Sequence, residues 1–170
     1  MNDKVVLGID IGGTNTVYGL VTKDGDVIHH ESIPTNGSLP ITDLLNRLNS
    51  RVNAALSSYT EIEKIVGVGI GAPNGNHFTG MIQDPPNLSW GNVDVNTLFS
   101  KTFKCEVDLT NDANAAALGE KHFGIAKGME DFVVITLGTG LGSGIYCGGR
   151  LLYGHDGFAG EMGHICIEVD

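Results

Sequence analysis

Two glycine-rich turns, each preceded by an apolar segment rich in β-branched residues, constrain the fold of this chain more than any other feature. The first segment is residues 5–16 (VVLGIDIGGTNT), and the second is residues 133–144 (VVITLGTGLGSG). Apolar residues resume after each turn, at 17–21 and at 145–147. Glycines let the backbone turn tightly and expose its N–H groups, which form a concave donor surface suited to phosphate oxygens. One such turn could be an ordinary hairpin, but two on one plan predict a duplicated unit that holds a polyphosphate.

Composition narrows the class of protein. The chain has 170 residues and 41% apolar content, which is enough for a buried core, and no apolar segment reaches transmembrane length. Residues 1–4 show no signal-peptide pattern, and three separated cysteines form neither a C-x-x-C pair nor an even disulfide set, so we expect a cytoplasmic protein. A net charge of -10 without a Lys/Arg cluster argues against nucleic-acid and membrane partners.

The order of the apolar patterns predicts an α/β protein with a mixed sheet flanked by helices. The predicted elements are three strands within 5–33, a helix at 41–56, a strand at 65–70, a loop-rich stretch at 72–94, a short helix at 96–103, a strand at 106–109 and a helix at 113–123.

An internal repeat begins near residue 130, where the plan of strand, glycine turn and strand starts again. Gly148-Gly149 then takes the hairpin position that Asp24-Gly25 holds in the first unit. We therefore expect a first lobe over residues 1–120 and the beginning of a second lobe over residues 121–170.

Asp10 stands at the end of the first predicted strand, immediately before the first glycine turn. A carboxylate there could hold a hydrated magnesium ion against phosphates in the turn. It could instead satisfy backbone donors of its own turn. The second glycine turn favours the phosphate interpretation.

Residues 111–114 (NDAN) lie at a predicted strand-to-helix junction. Asn and Asp are preferred helix N-caps, so Asp112 could serve only as the cap of the alanine-rich helix. It could also be a catalytic base, because the loose transition state of phosphoryl transfer needs only a carboxylate that orients the hydroxyl and takes its proton late. The two roles are compatible, since the positive end of a helix dipole favours a carboxylate.

Residues 160–164 (GEMGH) form the third candidate cluster. Glu161 and His164 could hydrogen-bond neighbouring hydroxyls of a sugar, and His164 could also ligate a metal. A lone histidine near an apolar strand is more often structural, and this is our interpretation of His155, His29 and His30.

Together these segments resemble the ROK (repressor/kinase) family of sugar kinases, within the actin-like ATPase superfamily, and most closely its glucokinases. The resemblance rests on five motifs in the family's order: DIGGTN at 10–15, GAPN at 71–74, NDANAAA at 111–117, LGTGLG at 137–142 and GEMGH at 160–164.

The resemblance implies an actin-like (ribonuclease H-like) fold whose two lobes enclose ATP-magnesium and a hexose, with glucose converted to glucose 6-phosphate. It implies that Asp112 is the catalytic base for the 6-hydroxyl, and Asp10 remains the candidate magnesium ligand. The implied nucleotide contacts are Asp10, Gly12, Gly13, Thr14, Asn15, Gly138, Thr139 and Gly140. The implied sugar contacts are Asn111, Glu161 and His164, with Gly71, Ala72, Pro73, Asn74 and Asn87 as weaker candidates.

The sequence departs from the family pattern after His164. Family members usually continue with a cysteine cluster, C-x-C-G-x-x-G-C, which binds a structural zinc together with that histidine. No such cluster follows here, and Cys166 is too close to His164 to replace it. We therefore expect His164 to ligate zinc only with residues beyond this chain. We also expect the chain to be the amino-terminal part of a kinase that is a homodimer at full length, and to be inactive alone.

Several alternatives stay open. The substrate could be another hexose or an N-acetylated amino sugar. A sugar-responsive repressor of the same family would need a helix-turn-helix segment before the first glycine turn, where only a few residues stand. A filament-forming actin-like ATPase would have no use for Glu161 and His164, and the segment could also be a folded but inactive lobe.

Overall fold

The computed structural model describes residues 3–138 and 140–166, which form three sheets and the helices between them. The strands are β1 (Asp3–Ile11), β2 (Asn15–Thr22), β3 (Val27–Pro34), β4 (Ile62–Gly71), β5 (Gly75–Asn76), β6 (Met81–Ile82), β7 (Val93–Asp94), β8 (Glu106–Thr110), β9 (Phe132–Leu137), β10 (Leu141–Cys147) and β11 (Arg150–Leu151). The helices are α1 (Ile41–Leu56), α2 (Val95–Phe103) and α3 (Asp112–His122), with a 3₁₀ turn at Met162–His164.

The largest sheet has five strands in the order β3-β2-β1-β4-β8. Strands β1, β2 and β3 are antiparallel neighbours, whereas β1, β4 and β8 run parallel to one another. The carboxyl ends of parallel strands meet at one edge of a sheet, and segments that follow them converge there. The register places Asp10 of β1 opposite Gly71 of β4, and Gly71 opposite Thr110 of β8.

One face of this sheet is covered and the other is partly open. Along β1, Val5, Leu7, Ile9 and Ile11 are at most 5% exposed, while Val6 between them is 40% exposed. Helix α1 packs on the covered face through its three-four apolar spacing, which buries Ile41, Leu44, Leu45, Leu48, Val52 and Ala55. Each fully buried Leu, Ile or Val contributes roughly 1.5–3 kcal/mol, so this layer is the main source of stability.

The second sheet has three strands in the order β11-β10-β9 and packs against α3 through glycines. A Cβ on Gly144 would lie 2.6 Å from the carbonyl oxygen of Ala113 and 2.6 Å from Cβ of Ala117, so only glycine allows this approach. Apolar residues of β9 stay exposed: Val133, Ile135 and Leu137.

Most predicted elements are confirmed, including the three strands within 5–33, the helix at 41–56 and the hairpin at Gly148-Gly149. Both glycines of that hairpin have positive φ, 58° and 76°, as a tight two-residue hairpin turn requires.

Three details differ from the predictions. The loop-rich stretch at 72–94 contains a small sheet, β5-β6-β7. The second glycine turn is shorter than predicted, because β10 begins at Leu141 rather than near Ile145 and pairs with β9 from Leu137 onward. The alanine-rich helix begins at Asp112, with Asn111 as its N-cap.

Helix α3 contacts β4 of the large sheet as well as β9 and β10 of the second sheet. The division into lobes at residues 1–120 and 121–170 stays a prediction. No helix within the described residues is long and apolar enough to cross a membrane.

Candidate active site

Two acidic residues, Asp10 and Asp112, lie close together beside Gly71 at the carboxyl edge of the large sheet. A Cβ on Gly71 would lie 3.9 Å from Oδ1 of Asp10 and 3.5 Å from Cα of Asp112. The same atom would be 3.2 Å from Cβ of Ala115, so a side chain at position 71 would press on α3. Gly71 therefore lets β1 and the start of α3 come close. It has no side chain with which to contact a sugar.

The electrostatics of this pair favour a cation. Partial desolvation raises the pKa of Asp10 above its ordinary value although the residue is exposed, and the nearby negative charge of Asp112 raises that pKa further. A divalent ion between the carboxylates would remove their repulsion, and carboxylate oxygens are the ligands that Mg²⁺ prefers. The donor set thus fits a magnesium ion held through Asp10.

Asn111, and not Asp112, caps helix α3. Its Oδ1 accepts a hydrogen bond from the N–H of Ala113 at 2.8 Å, and Asn111 has the extended backbone of an N-cap. Asp112 is the first helical residue, and its Oδ1 accepts from the same N–H at 2.8 Å. The interpretation of Asp112 as the helix cap is therefore wrong, and its exposed side chain has only this one local bond among the described hydrogen bonds.

The first glycine turn, residues 12–14, lies between β1 and β2. The N–H of Gly12 donates to the carbonyl of Asn15 at 3.0 Å, and a Cβ on Gly12 would lie only 2.8 Å from that oxygen. Gly13, Thr14 and Asn15 are exposed. No hydrogen bond between described residues uses the N–H of Gly13 or Thr14, so both donors are available to a phosphate.

The second glycine turn, residues 138–140, lies between β9 and β10. The N–H of Gly138 donates to the carbonyl of Gly140 at 3.0 Å, and both glycines are exposed. A Cβ on either would meet nothing within 4 Å. Thr139, a predicted nucleotide contact, lies outside the described residues.

Residues 71–74 have mostly structural contacts. The N–H of Ala72 donates to the carbonyl of Thr110 at 3.0 Å. Asn74 has a positive φ of 53°, and its amide nitrogen donates to the carbonyls of Gln83 at 3.0 Å and Asp84 at 3.2 Å. The side chain of Asn74 thus braces the following loop, while that of Pro73 has no polar group to offer a sugar.

Asn87 lies beside the first glycine turn. A Cβ on Gly13 would be 3.4 Å from Cβ of Asn87, and Asn87 has a positive φ of 64°. The structure therefore brings this predicted sugar contact next to a predicted phosphate contact.

The structure brings three predicted sugar contacts together. Nδ2 of Asn111 donates to Oε1 of Glu161 at 3.5 Å, and Oε2 of Glu161 lies 3.8 Å from Nε2 of His164. Both Glu161 and His164 are exposed. The segment is anchored to β10, because the hydroxyl of Ser143 donates to the carbonyl of Gly160. Asn111 thus links this cluster to Asp112, the residue that follows Asn111 in the sequence.

Sequence reasoning missed Asn76, which fastens the loop leading to Glu161. Asn76 is 3% exposed, and its Nδ2 donates to the carbonyl of Asp156 at 2.7 Å. Its Oδ1 accepts from the N–H groups of Phe78 at 3.0 Å and Thr79 at 3.3 Å. An asparagine in a loop-rich stretch carries no signal for a contact 80 residues away.

The predicted zinc role of His164 stays a prediction. Within residues 3–138 and 140–166, no group of three or more His, Cys, Asp or Glu side chains is arranged to hold a metal ion. A tetrahedral zinc site would need further ligands.

A sequence model of the ROK family matches residues 6–170. The chain belongs to the ROK family. It is 36% identical over 172 residues to a glucokinase from Halalkalibacterium halodurans, a match that covers 98% of this chain and 51% of that protein. It is also 34% identical to a xylose repressor from Caldicellulosiruptor bescii, over 95% of this chain and 41% of the repressor.

A solved ROK structure has the same fold. The glucokinase from Streptomyces griseus, in complex with glucose and AMPPNP, superimposes with a TM-score of 0.79 at 33% identity, over 96% of this chain and 51% of that one. This confirms the predicted fold class, an α/β actin-like ATPase fold with a mixed sheet flanked by helices. The chain spans about half the length of the glucokinases it matches.

Proposed function

We propose that the ROK protein containing this chain is an ATP-dependent hexose kinase that converts glucose to glucose 6-phosphate. The observation that carries the proposal is the continuity of two sites around Asp112. On one side Asp112 lies near Asp10, the last residue but one of the strand before the first glycine turn. On the other side it adjoins Asn111, whose amide reaches Glu161. A base between a phosphate site and a hydroxyl-binding site is what phosphoryl transfer to a sugar needs.

In this mechanism Asp112 accepts the proton of the hexose 6-hydroxyl as that oxygen bonds to the γ-phosphorus of ATP, while the bond from that phosphorus to the β–γ bridging oxygen breaks and ADP leaves. Its place on the first turn of α3 puts Asp112 near Asp10. Asp10 would hold Mg²⁺, which supplies positive charge to the phosphates when it is bound. The N–H groups of Gly13 and Thr14 would donate to phosphate oxygens, and the second glycine turn would contact the nucleotide from the other unit.

Selection of the sugar would rest on the cluster of Asn111, Glu161 and His164. A carboxylate, an amide and an imidazole offer both donors and acceptors, so they can pair with adjacent hydroxyls of a pyranose. A sugar that lacks one of these hydroxyls would leave a polar group unpaired, which is costly in a closed site.

The test is ADP release from ATP-magnesium with a panel of hexoses, using the full natural coding sequence that contains these 170 residues. We expect ADP release with glucose above the rate without sugar. The relatives include a repressor, and sugar binding without ADP release would favour that function and overturn the kinase proposal. Release with only another hexose, or with an N-acetylated amino sugar, would keep the kinase and replace glucose as the substrate.

Asp112→Asn tests the base. We expect the variant to lower kcat by about 10²- to 10⁴-fold, because a general base contributes that much, while the affinity for the sugar changes little. Asp94→Asn is the matched control, since Asp94 also stands at a helix N-terminus but on α2, where it accepts from the N–H of Thr97. Full activity of Asp112→Asn would remove Asp112 as the base.

Two further expectations concern the whole protein. We expect the isolated 170-residue chain to show little activity, which the same assay measures. We also expect a homodimer at full length, which light scattering would detect.

A further inference from the structure

A threonine that the sequence motifs do not include, Thr35, contacts the first glycine turn directly. It follows β3 and is 1% exposed. Its hydroxyl donates to the carbonyl of Gly12 at 2.7 Å, and its N–H donates to the carbonyl of Thr14 at 2.8 Å. The hydroxyl of Thr16, also buried, lies 2.9 Å from the Thr35 hydroxyl. Because the one proton of Thr35 goes to Gly12, Thr16 donates in this pair.

Arg47 of helix α1 holds the segment that carries Thr35. Its two terminal nitrogens donate to the carbonyls of Pro34 at 2.7 Å and Thr35 at 3.0 Å. Its Nε donates to Oδ2 of Asp43 at 2.8 Å, one helical turn earlier. The planar guanidinium thus fixes three acceptors at once, and it connects α1 to the turn through Thr35.

Because the peptide bond is planar, these contacts also fix the direction of a backbone N–H group that would bind phosphate. In a trans peptide the C=O of one residue and the N–H of the next point in opposite directions. The bond from Thr35 to the Gly12 carbonyl therefore directs the N–H of Gly13 away from Thr35. The N–H of Gly13 is one of the donors that no described residue uses, and Gly13 is exposed.

We propose that Thr35 is a positioning residue for the phosphates of the nucleotide. It orients the donors of the first glycine turn, and Arg47 holds it in place. This inference rests on the proposed function in one respect, which is that the first turn binds a nucleoside triphosphate. It goes beyond that function because Thr35 touches neither substrate in this role and acts only through the Gly12 and Thr14 carbonyls.

The experiment compares Thr35→Val with Thr35→Ser in the full natural protein. Valine keeps the shape and removes the hydroxyl, whereas serine keeps the hydroxyl. We expect Thr35→Val to raise KM for ATP, and the Kd for AMPPNP in calorimetry, by about tenfold, because it removes one hydrogen bond and leaves the half-buried carbonyl of Gly12 without this donor. KM for the hexose should stay within about twofold. Serine should restore most of the nucleotide affinity.

The matched control is Thr102→Val, which makes the same chemical change in α2, where the hydroxyl donates to the carbonyl of Leu98 at 3.2 Å. Neither KM should change by more than about twofold. Arg47→Lys is a second, milder variant in case Thr35→Val fails to fold. Lysine keeps the charge but cannot reach both carbonyls, so we expect a rise in KM for ATP and Kd for AMPPNP smaller than that of Thr35→Val.

Some results would overturn the inference. These are unchanged nucleotide binding in both Thr35→Val and Arg47→Lys, an equal rise of KM for ATP and for the hexose, or no rescue by serine. Failure of the proposed function would give a different result. The unsubstituted protein would release no ADP with any hexose, while calorimetry would still detect AMPPNP binding. If the unsubstituted protein bound no AMPPNP, the positioning role would be overturned as well.

Discussion

The two glycine turns follow one sequence plan but are supported in different ways. The first is braced by the buried side chains of Thr16 and Thr35, and Gly12 packs so closely that a Cβ would lie 2.8 Å from a backbone oxygen. At the second turn, Gly138 and Gly140 are exposed, and a Cβ on either would meet nothing within 4 Å.

The sheets behind the turns explain the contrast. Helix α1 covers one face of the large sheet and supplies Arg47, which reaches the first turn through Thr35. The second sheet packs on α3, and Ile135 and Leu137 on β9 stay 54% and 82% exposed. Among the described residues, helix α1 supplies a side chain that holds the first turn through Thr35, while Gly138 and Gly140 of the second turn are exposed.

The largest expected effect is at the contact of β10 with α3, on which the second unit depends. Gly144→Ala places a Cβ 2.6 Å from a backbone oxygen of α3, and we expect it to lower the free energy of unfolding by about 3 kcal/mol, the upper range for overpacking. Urea denaturation measures this, with Gly140→Ala as the control. No change in the free energy of unfolding for Gly144→Ala would show that the close packing of β10 on α3 does not restrict position 144.

The next effect separates the two turns directly. Gly12→Ala should lower the free energy of unfolding by about 2 kcal/mol, because the new Cβ meets the carbonyl of Asn15. Gly138→Ala should change it by less than about 0.5 kcal/mol, since no neighbour is displaced. The same urea denaturation measures both variants. Equal losses of free energy of unfolding would contradict the inference that the first turn is more tightly packed than the second.

A smaller effect concerns Asp10, near the end of β1. The pKa of Asp10 is raised in the folded state, so the ionised carboxylate destabilises the fold at neutral pH and the loss develops as pH rises through the raised pKa. We expect Asp10→Asn to raise the melting temperature at pH 7. The gain should disappear below the ordinary aspartate pKa of 3.8. Melting curves from pH 3 to pH 8 measure this, and a gain that persists at low pH would contradict the cause.

The smallest effect is expected on the open face of the second sheet. Leu137→Ser should change the free energy of unfolding of the 170-residue chain by less than about 0.5 kcal/mol, because the side chain is 82% exposed. The matched substitution Leu7→Ser on β1, at 0% exposure, should cost several times more. Similar losses of free energy of unfolding in both variants would mean that the Leu137 side chain is buried against another part of the protein.

Much of the fold could be predicted from local patterns. The three-four spacing from Ile41 to Ala55 predicts α1, because buried positions of a helix recur at that period. The pair Gly148-Gly149 predicts the hairpin, because its turn needs positive φ values, which glycine adopts readily. In the candidate site, the structure places Asn111 beside Glu161, two residues that the sequence motifs predict as sugar contacts. The roles of Asp112 and His164 stay predictions.

The sequence by itself determined the order of the longer strands, the helices and the glycine turns, because each depends on residues a few positions apart. Only the tertiary structure decided which contacts hold the first glycine turn. The contacts that hold the first turn join β1, the end of β3 and α1, and the loop before Glu161 depends on Asn76, which lies 80 residues from its partner. Such hydrogen bonds have no sequence period, since they depend on how the elements pack and not on the local backbone.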